Sequence, residues 1–298
     1  MSFNQQVALI TGATGFVGAH LAKRLIDDGW EVHALIRDGS KIPNLLINEK
    51  LSFHFYDGRT ETLVQCMSLV KPNVVFHLAS LFLSQHETKD IEPLIQSNLL
   101  FGSQLLEAMR ANNICNLINT GTSWQHYKNE SYNPVCLYAA TKQAFEAIIE
   151  YYIQACNFKI ITLKLFDTYG PNDPRPKLIA MLNNAEKNNL PLNMSTGEQL
   201  IDLVHIDDVV DAYLMAAHRL LENEIFCHER FAISSGNPIP LKQLVQLYIE
   251  ATGKNIQINW GARPYRFREV MNTWSEGVPI NNWTASISLE EGFKALYK

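Results

Sequence analysis

Residues 7–18 read Val7-Ala8-Leu9-Ile10-Thr11-Gly12-Ala13-Thr14-Gly15-Phe16-Val17-Gly18. The apolar run Val7–Ile10 is short enough for a strand buried on both faces, as in a parallel sheet. Glycines follow at 12, 15 and 18, and a helical pattern runs from Phe16 to Ile26. Each glycine has its own task. Gly12 permits the tight strand-to-helix turn, Gly15 lets a pyrophosphate approach the backbone, and Gly18 lets the helix pack close to the sheet. The helix start then offers free N–H groups and a partial positive charge to phosphates. This strand–turn–helix predicts a dinucleotide site; a glycine triad without that context would be weak evidence.

The rest of the chain sets bounds on that reading. With 298 residues, 47% of them hydrophobic, the chain can bury a substantial core and divide into two lobes. Charged residues make up 18%, the formal net charge is -5, and neither sign forms a long run. That pattern argues against a nucleic-acid footprint and against a basic membrane-binding face. The longest apolar stretch, Val74 to Leu83, is too short for a bilayer. Met1 to Gln6 has neither a basic start nor an apolar signal core, so a cytoplasmic location is expected. Cysteines stand at 66, 115, 136, 156 and 227, an odd number with no CxxC pair. They read as reduced thiols, with no metal site.

A second strand, Glu31 to Ile36, leads into Arg37-Asp38-Gly39-Ser40-Lys41. An acidic residue at this strand end grips a ribose 2′-OH, whereas an arginine accommodates a 2′-phosphate. Arg37, backed by Ser40 and Lys41, favours NADP(H) over NAD(H). A third strand, Leu51 to Phe55, ends at Asp57-Gly58, where the carboxylate could accept from an adenine amino group or serve only the turn. Glu61 to Val70 reads as a helix and Val74 to Ala79 as a buried strand, with His77 a structural residue near its end. Pro93 to Arg110 reads as one long amphipathic helix holding Asn98, which needs a partner if buried. A strand at Asn116 to Asn119 then runs into the hydroxyl cluster Thr120-Gly121-Thr122-Ser123-Trp124.

Tyr138-Ala139-Ala140-Thr141-Lys142 opens another helix, and a spacing of four places Tyr138 and Lys142 on one face. A free phenol has a pKa near ~10, too high for ready exchange at neutral pH. A cation within about 4–6 Å lowers it. Tyr138 is thus the candidate general acid for a developing alkoxide, Lys142 the group that tunes it, and Thr122 a hydrogen-bond donor to the same substrate oxygen.

The glycine turn 11–18, Thr122 and Tyr138-x-x-x-Lys142 resemble the extended short-chain dehydrogenase/reductases of the nucleotide-sugar branch. His77-Leu78-Ala79-Ser80, Tyr169-Gly170-Pro171, Thr196-Gly197-Glu198-Gln199, His205-Ile206-Asp207-Asp208-Val209 and Asn282-Trp283 are similar to further signatures of that family, which cover almost the whole chain. The resemblance implies a doubly wound parallel α/β sheet (a Rossmann fold) at 1–169 and about 202–235, with a smaller α+β substrate lobe at about 170–201 and 236–298. It implies cofactor contacts from Gly12, Thr14, Gly15, Phe16, Val17 and Gly18, then from Arg37, Asp57 and Gly58. Leu78, Ala79, Ser80, Asn98, Tyr138, Lys142 and Phe166 would line the nicotinamide side. For a nucleotide-diphosphate sugar it implies Leu81, Ser123, Trp124, Asp167, Lys177, Gln199, Arg266 and Glu269. It also implies a homodimer built through the helices at 93–110 and 138–155.

Departures narrow the activity. Dehydratases of this branch carry an Asp-Glu pair after the threonine, but here Ser123 and Trp124 follow. Reductases that also epimerise use a cysteine near this loop, and none lies between 116 and 135. The remaining pattern looks most like CDP-abequose and CDP-paratose synthases, which reduce C4 of a 4-keto-6-deoxy sugar on the route to O-antigen polysaccharide. An NAD-dependent 4-epimerase and a non-catalytic NADP(H)-sensing protein are the alternatives. Many relatives also carry an arginine before Asp202, where this chain has Ile201. Arg266 fits a second diphosphate arginine, with Arg263 or Arg268 as substitutes for the missing one.

Overall fold

The apolar runs read from the sequence become the centre of a sheet. In the computed structural model, which describes residues 5–47, 49–222 and 228–297, Val7–Thr11 forms β1 with Ala8, Leu9 and Ile10 fully buried. Glu31–Arg37 is β2, Leu51–Tyr56 β3, Val74–His77 β4, Asn116–Thr122 β5 and Lys159–Leu165 β6. A seventh strand, His228–Ile233, completes the sheet. The spatial order is His228–Ile233, β6, β5, β4, β1, β2, β3, and every pairing is parallel. Chain order reverses beside β1, and a ligand crevice opens at such a switch point, outside the carboxyl ends of the strands.

Helices cover both faces because each carries one apolar stripe. Phe16–Asp27 and Ile206–Leu221 pack on one face, with Leu21, Leu25 and Tyr213 fully buried. Thr60–Val70, Phe101–Ala111 and Leu137–Cys156 cover the other face through Met67, Leu105 and Ile149. A third core gathers Leu178–Asn188, Leu241–Thr252 and Leu289–Ala295 around Tyr169, Tyr248 and Phe293. Ile280 and Trp283, late in the chain, pack back into the first core.

Three elements depart from their expected bounds by more than one residue. β4 stops at His77, although Leu78 N and Ala79 N still reach Thr11, at its backbone oxygen (3.1 Å) and its hydroxyl (3.2 Å). β5 continues past Asn119 to Thr122, paired with β6 along its whole length. The helix expected over 93–110 is interrupted: Ile91–Ile95 and Phe101–Ala111 are α-helical, but Gln96–Leu100 is a π turn. The cause sits in its middle. Asn98 is 2% exposed and bonds Leu81 and Thr141, and a wider turn accommodates a polar side chain that must meet partners off the helix.

Among the described residues, no helix is long and apolar enough to cross a membrane, and no three His, Cys, Asp or Glu side chains gather as metal ligands. Cys66, Cys115, Cys136 and Cys156 are free thiols, while Cys227 lies outside the described residues.

Candidate active site

The glycine turn carries its own constraints. Gly12 has φ +78°, and a Cβ there would lie 2.6 Å from Ala79 N. A Cβ on Gly18 would lie 2.1 Å from Gly12 O, so the helix sits against the turn as closely as glycine allows. Gly15 is exposed and caps the helix without any side-chain hydrogen bond, and no acidic residue occupies the first turn. Open N–H groups and a bare backbone are what a pyrophosphate requires, so the residues present fit a dinucleotide. Thr14 and Val17 are partly exposed on the same turn, while Phe16 is buried under the Arg175 guanidinium, 4.4 Å from its ring centre.

At the end of β2, Arg37 is exposed and has no ion-pair partner among the described residues. Asp38 instead accepts from Gly39 N within its own turn. Asp57 is drawn onto its neighbours: its carboxylate accepts from Thr62 Oγ1 at 2.6 Å and from Arg59 Nε at 2.7 Å. The Thr62 and Arg59 hydrogen bonds hold its carboxyl well below the usual range. Gly58 O accepts from Gln104.

Tyr138 and Lys142 lie on Leu137–Cys156 and are both buried, with the Lys142 Nζ 5.9 Å from the phenol ring centre. Burial pushes the Tyr138 hydroxyl up to about 12, opposed by a hydrogen bond with Ser80. Burial pushes the Lys142 ammonium down to about 8, opposed by Glu146. This differs from the expected lowering of the phenol, because desolvation dominates and the group that opposes it is Ser80, not Lys142. A phenol at about 12 stays protonated at neutral pH, which suits an acid that delivers a proton to an alkoxide.

Thr122 stands at the tip of β5, 8% exposed. Its Oγ1 accepts from Trp124 N at 3.3 Å, which leaves its own O–H free to donate. A buried network holds it from below. Gln125 Oε1 accepts from Thr122 N at 3.0 Å, and its Nε2 donates to Glu146 at 2.7 Å. Glu146 in turn accepts from Arg230 at 3.0 Å and faces Lys164 at 3.6 Å. These charges are tolerable in the interior because each is paired.

Thr122 and Tyr138 share a cavity of about 90 Å³ with Phe82, Ser123, Trp124, Phe166, Asp167 and Lys177. The cavity adjoins a cleft of about 510 Å³ that also reaches Gln199 and Arg266. Phe82 meets Tyr138 edge-on at 4.9 Å and Trp124 at 5.5 Å. Arg266 lies 5.9 Å from the Trp124 ring centre and is held by Glu269 at 3.0 and 3.1 Å. Gln199 is buried, with its amide on Ser195.

Some expected site residues are bonded within the fold, and Asn98 is one of them. Its Nδ2 donates to Leu81 O and Thr141 Oγ1, and its Oδ1 accepts from Leu81 N. It therefore ties the loop carrying Leu81 to the helix carrying Tyr138. Arg268, expected as a substitute for an arginine at Ile201, lies with its guanidinium over Tyr127 at 4.4 Å and bonds Asn133. Arg263 does not line the cleft, whose described cations are Arg175, Lys177, Lys187 and Arg266. His77 is structural, as its position suggested: it is 1% exposed, bonds Thr11 Oγ1 at 2.8 Å, and burial pushes it down to about 3.

Sequence reasoning missed Phe82, Arg175 and the Gln125–Glu146–Lys164 network. Phe82 lay in plain view at the end of the apolar run from Val74. The network gave no signal, because Glu146 and Lys164 look like ordinary surface charges until the sheet and helix bring them together.

Comparison with known proteins agrees with this fold. The model of the NAD dependent epimerase/dehydratase family matches residues 8–227. A CDP-abequose synthase of Salmonella muenchen is 29% identical, covering 97% of this chain and 96% of its own length. A probable UDP-glucuronate 4-epimerase of Rhizobium meliloti is 24% identical, covering 95% of this chain and 94% of its own length. Among solved structures, MoeE5 in complex with UDP-glucose and NAD superposes with a TM-score of 0.83 at 25% identity, covering 97% of this chain and 96% of its own.

Proposed function

The chain belongs to the NAD-dependent epimerase/dehydratase family, and from that premise we propose that it is an NADPH-dependent C4 ketoreductase of a nucleotide-linked 4-keto-6-deoxy sugar. The observation that carries the reading is the shared cavity. Thr122 and Tyr138 meet there, beside Ser123 and Trp124, and the positions after the threonine hold no carboxylate to drive elimination of water. The CDP-abequose synthase likeness supports a CDP-linked sugar, with GDP and dTDP as the next bases, and a product used for surface polysaccharide. The exposed Arg37, without an ion-pair partner among the described residues, supports NADPH over NADH.

In this reading the bound cofactor supplies hydride to C4. Tyr138 donates the proton to the developing alkoxide, and Thr122 donates a hydrogen bond to the same oxygen. Lys142 carries positive charge beside Tyr138 and would hold the ribose hydroxyls of a bound cofactor. Arg266 leaves Glu269 to pair with the sugar-nucleotide diphosphate, for which a guanidinium fork is suited. Asn98 holds the Leu81 loop against the Tyr138 helix. The exposed Ile95, Leu100 and Tyr151 support a homodimer through those helices.

The test is NADPH absorbance decay with freshly generated 4-keto-6-deoxy sugars on CDP, GDP and dTDP, repeated with NADH. Decay with one of them and NADPH is the expected result. The rival is an NAD-dependent 4-epimerase, favoured by NAD in the MoeE5 complex. It would release NAD on denaturation and consume no NADPH. A sensor without chemistry would bind NADPH and turn over nothing.

A further inference from the structure

Glu146 sits where two arms of the catalytic set converge. Tyr138, Lys142 and Glu146 follow one another at steps of four on the Leu137–Cys156 helix, so they share one face, and all three are buried. From the segment after β5, the fully buried Gln125 donates its Nε2 to Glu146 Oε1 at 2.7 Å. Charged groups meet the carboxylate from two strands. Arg230 of the seventh strand donates to Oε2 at 3.0 Å, and Lys164 of β6 lies 3.6 Å from Oε1, with its Nζ 2.8 Å from His126 Nε2. Beyond them, Glu150 lies 3.8 Å from Arg230 and 3.9 Å from His228. Burial alone would raise the Glu146 carboxyl, but Lys164, Gln125 and Arg230 outweigh it, so it is ionised at neutral pH.

An ionised carboxylate only accepts hydrogen bonds, so Gln125 must turn its Nε2 toward Glu146. Gln143 also accepts from that Nε2 at 2.7 Å, but an amide partner can present either end and does not fix the orientation. With Nε2 committed, Oε1 is left to accept from Thr122 N at 3.0 Å, while Thr122 Oγ1 accepts from Trp124 N. Thr122 and Gln125 thus form a reciprocal capping box that locks the threonine at the end of β5. A glutamine at 146 would reverse this order. The donors Arg230 and Lys164 would claim its single oxygen, its nitrogen would face Gln125, and a turned Gln125 would set N–H against Thr122 N–H. The same carboxylate acts along the helix on Lys142, where burial pushes the ammonium down and Glu146 opposes it. The buried His77 faces Lys142 from β4 without charge.

We propose that Glu146 is a positioning residue for the reduction: acting through Gln125 it fixes the Thr122 side chain, and along its own helix it supplies the negative charge that faces Lys142. One buried carboxylate thereby serves both the hydrogen-bond donor and the cation of the site. The proposal deepens the ketoreductase reading and rests on it.

Steady-state kinetics across pH and hydrogen exchange, both on the full chain, test it together. Glu146→Gln should lower kcat about tenfold or more with KM within about twofold. It should also move the alkaline inflection expected at about 8 down by about half a pH unit or more, and speed amide exchange in peptides covering 119–126. Gln125→Met leaves Glu146 paired with Arg230 and Lys164, so no buried charge is orphaned. It should lower kcat and speed the same peptides while the inflection stays in place. Glu146→Asp restores the charge and should return the inflection toward wild type. Wild-type kcat and an unmoved inflection in Glu146→Gln overturn the proposal. So does an equal inflection shift in Gln125→Met, which a general loosening of the helix would give. Wild-type kcat in Gln125→Met overturns it even where Glu146→Gln does not fold. If wild type consumes no NADPH with any sugar, the ketoreductase reading falls and exchange decides alone. Faster exchange confined to 119–126 in both variants then upholds the arm from Glu146 through Gln125 to Thr122, and unchanged exchange overturns it.

Discussion

The Lys142 ammonium lies 5.9 Å from the centre of the Tyr138 ring, one turn further along the same buried helix. Both groups have lost solvent, and each is pushed toward its neutral form. The pair therefore holds its protons differently from the same residues on a surface, and that difference is measurable.

Tyr138→Phe removes the acid but keeps the ring against Phe82. Turnover should fall by about 10²–10⁴, with NADPH affinity unchanged on fluorescence titration. Wild-type rates in this variant would disprove the acid assignment.

The same pair sets an alkaline limit. Lys142 loses its proton above about 8 while Tyr138 keeps its own to about 12. Reduction should therefore slow as pH rises past about 8, and Lys142→Met should abolish that inflection. Folding stability moves the other way in the same window. Between about 8 and the free-lysine value of 10.5, the unfolded chain binds the proton that the native chain has lost, so the Lys142 contribution to stability rises with pH.

Arg37→Asp should invert the cofactor preference. The guanidinium that suits a 2′-phosphate is replaced by a carboxylate that suits a 2′-OH, so the NADPH to NADH ratio of kcat/KM should fall by a factor of ten or more, about 1.4 kcal/mol. An unchanged ratio would move the phosphate contact elsewhere, with Lys41 the next residue to replace.

Gly18→Ala places a methyl 2.1 Å from Gly12 O, a backbone atom that cannot yield without moving the turn. Destabilisation of about 1–3 kcal/mol and loss of NADPH binding are expected. Gly29→Ala is the control: its Cβ meets nothing within 4 Å, so it carries only the strain of its φ of +85° and should leave NADPH affinity unaltered.

His77 and His228 are buried and neutral, held down to about 3 and about 4. Below 6.5 the unfolded chain takes up protons that the native chain refuses, so stability is lost as pH falls from 6.5 toward those values. Each histidine contributes a slope of up to about 1.4 kcal/mol per pH unit. His77→Gln should flatten the acid limb of a denaturation series, and an unaltered limb would assign it to other groups.

Much of the cofactor half was legible before any coordinates. Gly12 announces a left-handed turn and Gly18 a helix packed closer to that turn than a Cβ allows, and the Val7–Ile10 run announces a strand without polar neighbours. Strand and helix order followed from periodicity, a property of adjacent residues. The Tyr138–Lys142 pair was legible for the same reason, since helical spacing brings them together whatever the rest of the chain does.

What depends on distant residues was not legible. Asn98 bonds Leu81 and Thr141, 17 and 43 positions away, and no local pattern in the sequence pointed to those partners. The expected lowering of the Tyr138 phenol failed because burial, a consequence of packing, dominates its surroundings. Arg268 carried the right charge in the right segment, but the fold turns it onto Tyr127. The sequence by itself determined the sheet strands, the glycine turn and the helix that carries Tyr138 and Lys142, because these rest on local geometry. The tertiary structure alone decided which polar groups face the cavity and which are consumed by each other, because that depends on contacts between segments far apart in the chain.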